Sequence, residues 1–236
     1  MEFQERNVVI TGAGRPGQVG EAVATALAER GARLLLVDRQ AAQSRARADA
    51  LVASGHRASA FAADLADADA VAKLATEVRD ATGGAVHALI HVAGGFSMSG
   101  PVADSDPAEW TRLITINGTT TYLVARAFIP LLRPTHGALV CFASEAVLPG
   151  GSAAGRAAYA ASKSTVVALV HAIAREERAH GVRANAVAPT TIRTADNVAA
   201  LGDDTPMVSR EAVADTVCWL VSDAARAVTG QLIAVR

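Results

Sequence analysis

Cysteine, charge imbalance and long apolar runs are all scarce in this sequence. Its 236 residues contain only Cys141 and Cys218, which lie far apart and form no paired motif, so nothing suggests a disulfide framework. The formal net charge is −1 without a run of like charge, which argues against nucleic acid and anionic membranes as partners. No signal peptide is recognised, and no apolar stretch reaches the length that spans a bilayer. We therefore expect a cytoplasmic protein that acts on a small molecule.

Lysine and aromatic residues are scarce as well. Aromatic residues make up 4% of the chain, and the only lysines are Lys73 and Lys163, so positive charge is otherwise carried by arginine. The six histidines are scattered along the sequence, and we expect no metal site. A lysine within a recognisable pattern is therefore more informative here than in most sequences.

Short apolar strands alternate with helical stretches along the whole chain, in which 51% of the residues are hydrophobic. Strands are predicted at 7–11, 33–37, 58–62, 87–92, 137–142, 182–187 and 231–235. Helices are predicted at 20–30, 41–54, 67–81, 156–180 and 210–222, with two more between 107 and 133. Helices that separate continuous apolar strands are typical of a parallel sheet. The sequence predicts the α/β class: a single doubly wound Rossmann domain over residues 1–236, with a parallel sheet of about seven strands and helices on both faces.

A glycine-rich turn follows the first predicted strand. Gly12, Gly14 and Gly17 are followed by Gln18 and Val19, just before the helix predicted at 20–30. Glycines allow the backbone to turn tightly and approach a pyrophosphate, and the helix N-terminus offers N–H groups to that anion. A dinucleotide site is therefore one interpretation of this turn, and an ordinary βα turn is the other.

Asp38 ends the second predicted strand and bears on the choice of dinucleotide. A carboxylate here accepts hydrogen bonds from both hydroxyls of an adenosine ribose and repels the 2′-phosphate of NADP. Arg15 and Arg39 are, in contrast, suited to meet a 2′-phosphate. We favour NAD(H) and keep NADP(H) as the alternative, while a turn or helix-capping role would explain Asp38 without a ligand.

Two further strand ends complete the predicted cofactor side. Asp64 and Leu65 follow the third strand, where Asp64 can bind an adenine amino group and Leu65 can offer its N–H; a helix N-cap is the alternative for Asp64. Ala93, Gly94 and Gly95 follow the fourth strand and lack bulky side chains where a flat cofactor would pass. A simple loop is the alternative for these three residues.

The sharpest pattern is Tyr159-Ala-Ala-Ser-Lys163. A tyrosine and a lysine four residues apart lie on the same face of a helix. The unperturbed pKa of a tyrosine is about 10, which is too high for an efficient base at neutral pH, and a nearby ammonium lowers it. We therefore predict that Tyr159 transfers a proton and that Lys163 lowers the pKa of Tyr159.

Taken together, these residues resemble the short-chain dehydrogenase/reductase family, in the family's order and over essentially the whole chain. The resemblance implies that a hydride passes between a nicotinamide and a ketone or secondary alcohol. It also implies a homodimer or a homotetramer. It rests on the glycine-rich turn, Asp38, Asp64, Ala93-Gly94, Asn117, Ser144, Tyr159, Lys163 and Pro189.

The resemblance implies a role for each residue at the chemical end of the site. Ser144 would polarise the substrate oxygen, and Tyr159 would give that oxygen a proton or take one from it. Lys163 would also hold the nicotinamide ribose, and Asn117 would hold a water between Lys163 and solvent. The segment beside the carboxamide of the nicotinamide would comprise Pro189, Ile192 and Thr194.

Departures from the family pattern leave alternatives open. The glycine-rich turn is two residues longer than usual, and Val92 stands where an asparagine usually helps to hold the sheet. These departures slightly favour one alternative, a Rossmann protein that binds a dinucleotide without turnover, but the complete set of Asn117, Ser144, Tyr159 and Lys163 argues strongly against it. The run from Val92 to Gly95 is similar to that of dihydropteridine reductases, which are NADH enzymes of the same family. The segment from Ala195 to Val208, which would form a lid over the substrate, is also short.

Overall fold

The structure, a computed structural model, describes residues 2–236 and contains one parallel sheet of seven strands. The strands are β1 (Asn7–Thr11), β2 (Arg33–Asp38), β3 (Arg57–Ala62), β4 (Ala88–His91), β5 (Ala138–Phe142), β6 (Arg183–Pro189), β7 (Ile192–Arg193), β8 (Val208–Ser209) and β9 (Leu232–Val235). Their order in the large sheet is β3-β2-β1-β4-β5-β6-β9, while β7 and β8 form a separate parallel pair.

Helices cover both faces of this sheet. They are α1 (Val19–Glu29), α2 (Ala41–Ala53), α3 (Ala68–Thr82), α4 (Pro107–Leu113), α5 (Thr120–Leu132), α6 (Ala157–Glu176), α7 (Ala195–Leu201) and α8 (Arg210–Val221). The side chains of Val8 and Ile10 enter a core layer with α1, α2 and α8, and Val9 enters the opposite layer with α3, α5 and α6. This alternation follows from the two-residue period of a strand, and it confirms the predicted doubly wound Rossmann fold.

The largest boundary error concerns the helix predicted at 156–180. In the structure α6 ends at Glu176, and a 3₁₀ turn, Arg178–His180, follows it. The chain then turns at Gly181, which has a φ of +71°. Glycine adopts this left-handed conformation without steric strain, so the helix stops before the residue that permits the turn.

The interval between 107 and 133, predicted to hold two helices, forms one continuous helical segment with an irregular centre. A π-helical turn, Ile114–Thr119, joins α4 directly to α5. Such turns are rare inside helices and are frequent at functional sites. Asn117 lies within this turn, so the irregularity coincides with a predicted site residue.

One helix, α6, is long and apolar enough to cross a membrane by length and composition alone. The prediction that no apolar stretch reaches that length is therefore wrong. Val166, Val170 and Ile173 of this helix pack in the core layer between α6 and the sheet. A core helix passes the same test of length and composition, so α6 is weak evidence for a membrane span.

The short segment after β6 closes on itself at the carboxyl end of the sheet. β7 and β8 pair in parallel, and α7 lies between them in sequence. Asn197 Nδ2 donates to the carbonyl oxygen of Ile192 at 2.8 Å, and Thr194 Oγ1 accepts from the N–H of Asn197 at 3.2 Å. The segment predicted as a lid is therefore a small folded unit.

We expect Phe128→Ala to lower the free energy of unfolding by about 3–5 kcal/mol, because the side chain is fully buried on α5 and its removal leaves a cavity. Urea titration measures this loss. Val102→Ala is the control, since Val102 is 73% exposed and its truncation is expected to change the free energy by less than about 0.5 kcal/mol. Similar losses for the two variants would contradict the described core.

Candidate active site

The glycine-rich turn passes very close to neighbouring backbone. Gly12 has a φ of +73°, and a Cβ there would lie 2.8 Å from the amide nitrogen of Ala93, just after β4. A Cβ on Gly20 would overlap the carbonyl oxygen of Gly12, so α1 packs directly on the turn that precedes it. Gly20 is the last glycine of the run that follows β1, but the predicted cofactor contacts do not include it. Its place three residues after Gly17 is the signal that could have added it.

The turn presents hydrogen-bond donors at the start of α1. Gln18 is the N-cap and Val19 the first residue of the helix; in the first turn the N–H of Glu21 donates to the carbonyl oxygen of Gln18 at 3.2 Å, while the N–H groups before it have no intrahelical acceptor. The N–H of Gly17 donates to Glu21 Oε2 at 2.6 Å. The charge of Glu21 is offset by ion pairs with Arg47 and with Arg210, the latter at 3.4 Å. An anion can therefore meet the positive end of the helix dipole here.

Asp38 is half-buried beside this turn, where two backbone N–H groups orient it. Its Oδ2 accepts from Gly14 at 3.1 Å and its Oδ1 from Gln40 at 3.2 Å. Of the two arginines suited to a 2′-phosphate, Arg15 forms an ion pair with Asp196 of α7 at 2.7 Å, and Arg39 is exposed. Arg15 is thus already engaged by the lid segment.

Asp64 and Leu65 lie after β3, at the same edge of the sheet. Asp64 is exposed, and its Oδ1 accepts from the N–H of Ala66 at 2.9 Å. The N-cap of α3 is Asp67, whose side chain accepts from two N–H groups, so the helix-capping alternative for Asp64 is wrong. Leu65 is buried.

Asn117 of the π-helical turn ties the loop after β4 to α6. The residue is 1% exposed, and its Oδ1 accepts from the N–H of Gly95 at 3.0 Å. Its Nδ2 donates to the carbonyl oxygen of Gly95 and to Ser162 Oγ, both at 3.0 Å. A Cβ on Gly94 would lie 2.5 Å from Asn117 Oδ1, so only glycine fits this crossing. That Asn117 holds a water stays a prediction.

Ser144, Tyr159 and Lys163 meet where β5 ends against the first turns of α6. Ser144 is buried, and its hydroxyl lies close enough to the phenol of Tyr159 to influence the pKa of that phenol. Lys163 Nζ lies 5.8 Å from the centroid of the Tyr159 ring and donates to the carbonyl oxygen of Phe142 at 2.8 Å. The structure therefore brings these three predicted residues together.

Burial raises the pKa of the Tyr159 phenol above its usual value. The neighbouring Ser144 hydroxyl and the positive charge of Arg156 act in the opposite direction, while Glu145 adds to the rise. The prediction that the pKa of Tyr159 is lowered is therefore wrong for this structure. The reason is that removing the phenolate from water outweighs the neighbouring donor and cation, while the ammonium of Lys163 is directed to Phe142.

Lys163 is itself perturbed by its surroundings. The residue is 6% exposed, and burial lowers the pKa of its ammonium from 10.5 to about 8, with Cys141 acting weakly in the opposite direction. At neutral pH the ammonium remains protonated for the most part. The site thus combines a protonated phenol with a buried cation one helical turn away.

The lid segment contacts the glycine-rich turn directly. The N–H of Ala195 donates to the carbonyl oxygen of Gly17 at 3.1 Å. Pro189 and Thr194 are buried, and Ile192 is half-buried, between β6 and this contact. The predicted nicotinamide segment of Pro189, Ile192 and Thr194 therefore lies on the same side of the sheet as the predicted cofactor turn.

Phe96 is a site residue that sequence reasoning missed. Its ring meets the ring of Tyr159 edge-on, with the centroids 4.9 Å apart, although 56% of Phe96 is exposed. An aromatic side chain just after the glycines that follow β4 is the available signal. Phe96 shields one side of the phenol and makes the mouth of the site apolar.

A cavity of about 480 Å³ opens at the opposite edge of the sheet. Its charged groups have structural partners: Arg6 pairs with Asp223 at 2.5 Å, and Arg183 donates to the carbonyl oxygens of Leu220 and Ser222 at the end of α8. Within residues 2–236, no group of three or more His, Cys, Asp and Glu side chains is arranged to hold a metal ion. The chemical groups therefore concentrate at the carboxyl end of the strands.

The residues at this end fit a dinucleotide. A helix N-terminus offers donors to a pyrophosphate, and Asp38 lies at the next strand end, where a ribose would bind. The loop after β4 passes between these donors and the ammonium of Lys163, and it carries no side chain at Gly94, which leaves room for a flat cofactor.

Comparison with known proteins agrees with this geometry. The sequence model of the family described as enoyl-(acyl carrier protein) reductase matches residues 12–236. The chain is 33% identical to 2-(S)-hydroxypropyl-CoM dehydrogenase 3 of Xanthobacter autotrophicus over 254 residues, which cover 100% of this chain and 97% of that protein. A short-chain type dehydrogenase/reductase of Mycobacterium ulcerans superimposes with a TM-score of 0.90 at 30% identity, covering 100% of this chain and 90% of the other.

Two other similar structures hold different dinucleotides. A 3-oxoacyl-[acyl-carrier protein] reductase of Brucella melitensis contains NAD; it is 31% identical, has a TM-score of 0.85, and the match covers 99% of this chain and 90% of that one. A protein of Beutenbergia cavernae, described as an NAD(P)-dependent gluconate 5-dehydrogenase, contains NADP at low occupancy. It is 32% identical and has a TM-score of 0.87, and the match covers 99% of this chain and 96% of that one. Similarity to these proteins is thus compatible with either NAD or NADP as the cofactor and does not distinguish between them.

The buried ring of His91, the last residue of β4, generates a test of pH dependence. Burial, and next to it the charge of Lys163, lowers the pKa of His91 from 6.5 to about 3. The unfolded chain therefore binds more protons than the folded chain between these two pKa values, so stability is lost as the pH falls from 6.5 towards 3. At pH 5 the expected loss is about 2 kcal/mol, from 1.36 kcal/mol per pKa unit.

Urea titrations at pH 7 and pH 5 measure this loss in the wild-type chain and in His91→Gln, which cannot titrate. The wild type is expected to lose about 2 kcal/mol more than the variant between the two pH values. His171→Gln is the control, because His171 is exposed on α6 and is expected to follow the wild type. Parallel behaviour of the wild type and His91→Gln would contradict a neutral, buried His91.

Proposed function

The chain belongs to the short-chain dehydrogenase/reductase family, and from that premise we propose that it transfers a hydride between NAD(H) and a ketone or secondary alcohol, with Tyr159 as the general acid or base. The chain is an oxidoreductase of a family whose members act on CH–OH and C=O groups. The observation that carries the proposal is the convergence of three groups: the buried Ser144 hydroxyl, the Tyr159 phenol, and the buried ammonium of Lys163, 5.8 Å from the centroid of the phenol ring.

Ser144 and Tyr159 act on the substrate oxygen. The Ser144 hydroxyl donates to that oxygen and polarises the carbonyl, and the phenol of Tyr159 delivers the proton in reduction. The raised pKa of Tyr159 suits this direction, because the phenol stays protonated at neutral pH. In oxidation the phenol must first lose its proton, so the rate of oxidation rises with pH.

Lys163 assists the proton transfer electrostatically. Its ammonium, at 5.8 Å from the phenol ring, stabilises negative charge that develops on the phenolate when the proton leaves. The same ammonium is placed to hold a ribose hydroxyl where the loop at Gly94 passes without a side chain. Asn117 fixes this loop through Gly95.

The preferred cofactor in this proposal is NAD(H), with NADP(H) as the alternative. The nicotinamide, when bound, supplies the hydride in reduction and accepts it in oxidation. The carboxylate of Asp38 would accept hydrogen bonds from the adenosine ribose and would repel a 2′-phosphate. Arg15, paired with Asp196, supports NAD(H) further, since a 2′-phosphate would have to compete for it. The proposed contacts are Gly12, Gly14, Gly17, Gln18, Val19, Asp38, Arg39, Asp64, Leu65, Ala93, Gly94, Gly95, Tyr159, Lys163, Pro189, Ile192 and Thr194.

The two alternatives from the sequence have less support. If the protein only bound a dinucleotide without turnover, the convergence of a phenol, a buried serine and a buried lysine would have no explanation. The other alternative, reduction of a pterin, is supported only by the run from Val92 to Gly95. The homodimer or homotetramer and the cytoplasmic location stay predictions.

We expect Asp38→Asn to raise the affinity for NADPH relative to NADH by about tenfold or more. Two like charges about 4 Å apart near a protein surface repel by a few kcal/mol, and the substitution removes one of them. Titration of nicotinamide fluorescence measures both dissociation constants. Asp49→Asn makes the same charge change at an exposed position of α2 and is expected to leave the ratio unchanged. An unchanged ratio in Asp38→Asn would remove the argument for NAD(H).

The chain has two tyrosines, which makes a matched test of the proton donor possible. We expect Tyr159→Phe to lower kcat by about 10²–10⁴-fold, because the substrate oxygen loses its proton donor. Tyr122→Phe removes the same hydroxyl from a residue that is 50% exposed on α5 and is expected to leave kcat unchanged. Fluorescence titration with NADH checks that Tyr159→Phe still binds the dinucleotide. Retained activity in Tyr159→Phe is the outcome that would exclude Tyr159 as the acid or base.

A further inference from the structure

His91 has no role in the proposed chemistry, yet it is almost completely buried, with 2% of its surface exposed. Its ring lies between two threonines from different parts of the site. Nδ1 is 2.9 Å from Oγ1 of Thr11, the last residue of β1 before the glycine-rich turn. Nε2 is 3.3 Å from Oγ1 of Thr120, the first residue of α5 after the π-helical turn. The ring thus connects the cofactor turn with the segment that carries Asn117.

The threonine hydroxyls determine which ring nitrogen carries the proton. Thr120 Oγ1 donates to the carbonyl oxygen of Ile116 at 2.9 Å, so towards His91 it is the acceptor, and Nε2 carries the proton. Nδ1 is then an acceptor, and Thr11 Oγ1 donates to it while accepting from the N–H of Ala93 at 3.5 Å. Both hydroxyls and both ring nitrogens are satisfied only when the ring is neutral with the proton on Nε2.

Beyond the π-helical turn, the buried hydrogen bonds continue to the proton donor. Thr121 Oγ1 donates to the carbonyl oxygen of Asn117 at 2.6 Å, and Asn117 Nδ2 donates to Ser162 Oγ at 3.0 Å. Ser162 Oγ donates in turn to the carbonyl oxygen of Tyr159 at 2.7 Å. Since the groups are buried, rotating one of them leaves a partner unsatisfied, so the network favours a single arrangement.

We propose that His91 is a positioning residue, whose neutral ring fixes the glycine-rich turn relative to the π-helical turn and, through Asn117, relative to Tyr159. The proposal rests on the proposed function, in which the β1 side holds the dinucleotide and the α6 side transfers the proton. Hydride transfer requires the dinucleotide and the proton donor to be held in fixed positions relative to each other. A misplacement of about 1 Å reduces the rate by about 10²-fold. His91 is the side chain that contacts both threonines.

Two substitutions break the contact with Thr120 from its two ends. His91→Asn keeps an acceptor close to the place of Nδ1 and removes the donor to Thr120, and Thr120→Val removes the acceptor and keeps the ring. We expect each substitution to lower kcat about tenfold or more, because both release the π-helical turn. The KM for the dinucleotide is expected to change much less than kcat, because the contact to Thr11 remains. Each single variant already loses the contact between His91 and Thr120, and the double variant loses the same contact. The kcat of the double variant is therefore expected to be no lower than that of the slower single variant.

Val86→Ala is the matched control for a merely structural role. Val86 is fully buried two residues before β4, at the amino end of the sheet, whereas Tyr159 lies at the carboxyl end. The variant is expected to lower the urea midpoint with kcat unchanged. If Val86→Ala lowers kcat as much as His91→Asn does, or if the losses in the double variant add, the positioning role is overturned.

A readout that needs no activity tests the tautomer directly. Nitrogen-15 NMR of the imidazole in the full chain is expected to show a protonated Nε2 and an unprotonated Nδ1 for His91, and Nδ1–H would overturn the proposal. Activity of the wild type distinguishes the remaining failures. If the wild type is active and the two variants match it, only the role of His91 fails. If the wild type transfers no hydride to any carbonyl, the proposed function fails and the role of His91 fails with it.

Discussion

A buried ammonium must have a hydrogen-bond partner, because an unpaired charge inside a protein is strongly unfavourable, and this constraint shapes the whole carboxyl end of the sheet. Lys163 Nζ meets it by donating to the carbonyl oxygen where β5 ends. The loop after β4 passes beside this ammonium at Gly94, where a Cβ would lie 3.4 Å from Nζ and is excluded by Asn117 Oδ1 at 2.5 Å. The same charge helps to keep the ring of His91 neutral. The ammonium of Lys163 therefore links α6 to the end of β5, lies beside the loop after β4 and influences the protonation of His91 on β4.

Much of the fold could be predicted from the sequence, because the signals are local. Apolar runs such as Val8 to Ile10, each followed by a helical stretch, indicate buried parallel strands, and the carboxyl ends of those strands lie at one edge. Once that edge is known, Asp38 and the spacing of Tyr159 and Lys163 place the candidate site. A four-residue spacing on a helix is a geometric fact that needs no tertiary information.

The remaining features depend on groups that are distant in sequence. Position 20 must be glycine because a Cβ there would overlap the carbonyl oxygen of Gly12, and no pattern within α1 reveals this close contact. The direction in which the pKa of Tyr159 moves depends on burial by the surrounding loops, including the edge-on ring of Phe96. The ion pair of Arg15 with Asp196 joins residues that lie 181 positions apart. Such contacts arise only when the chain has folded.

The π-helical turn between α4 and α5 makes the length of this segment a constraint in its own right. Each residue in a helix advances the chain by about 100°, so the extra residue in a π turn sets the angular phase between everything before it and everything after it. Asn117 faces the site from within this turn, while Tyr122 faces solvent just beyond it. Losing one residue between 114 and 119 would restore a regular helix and rotate one of these two surfaces away from its present direction. Substitutions can therefore accumulate along this segment more readily than insertions or deletions, which makes it a fixed point for aligning divergent relatives.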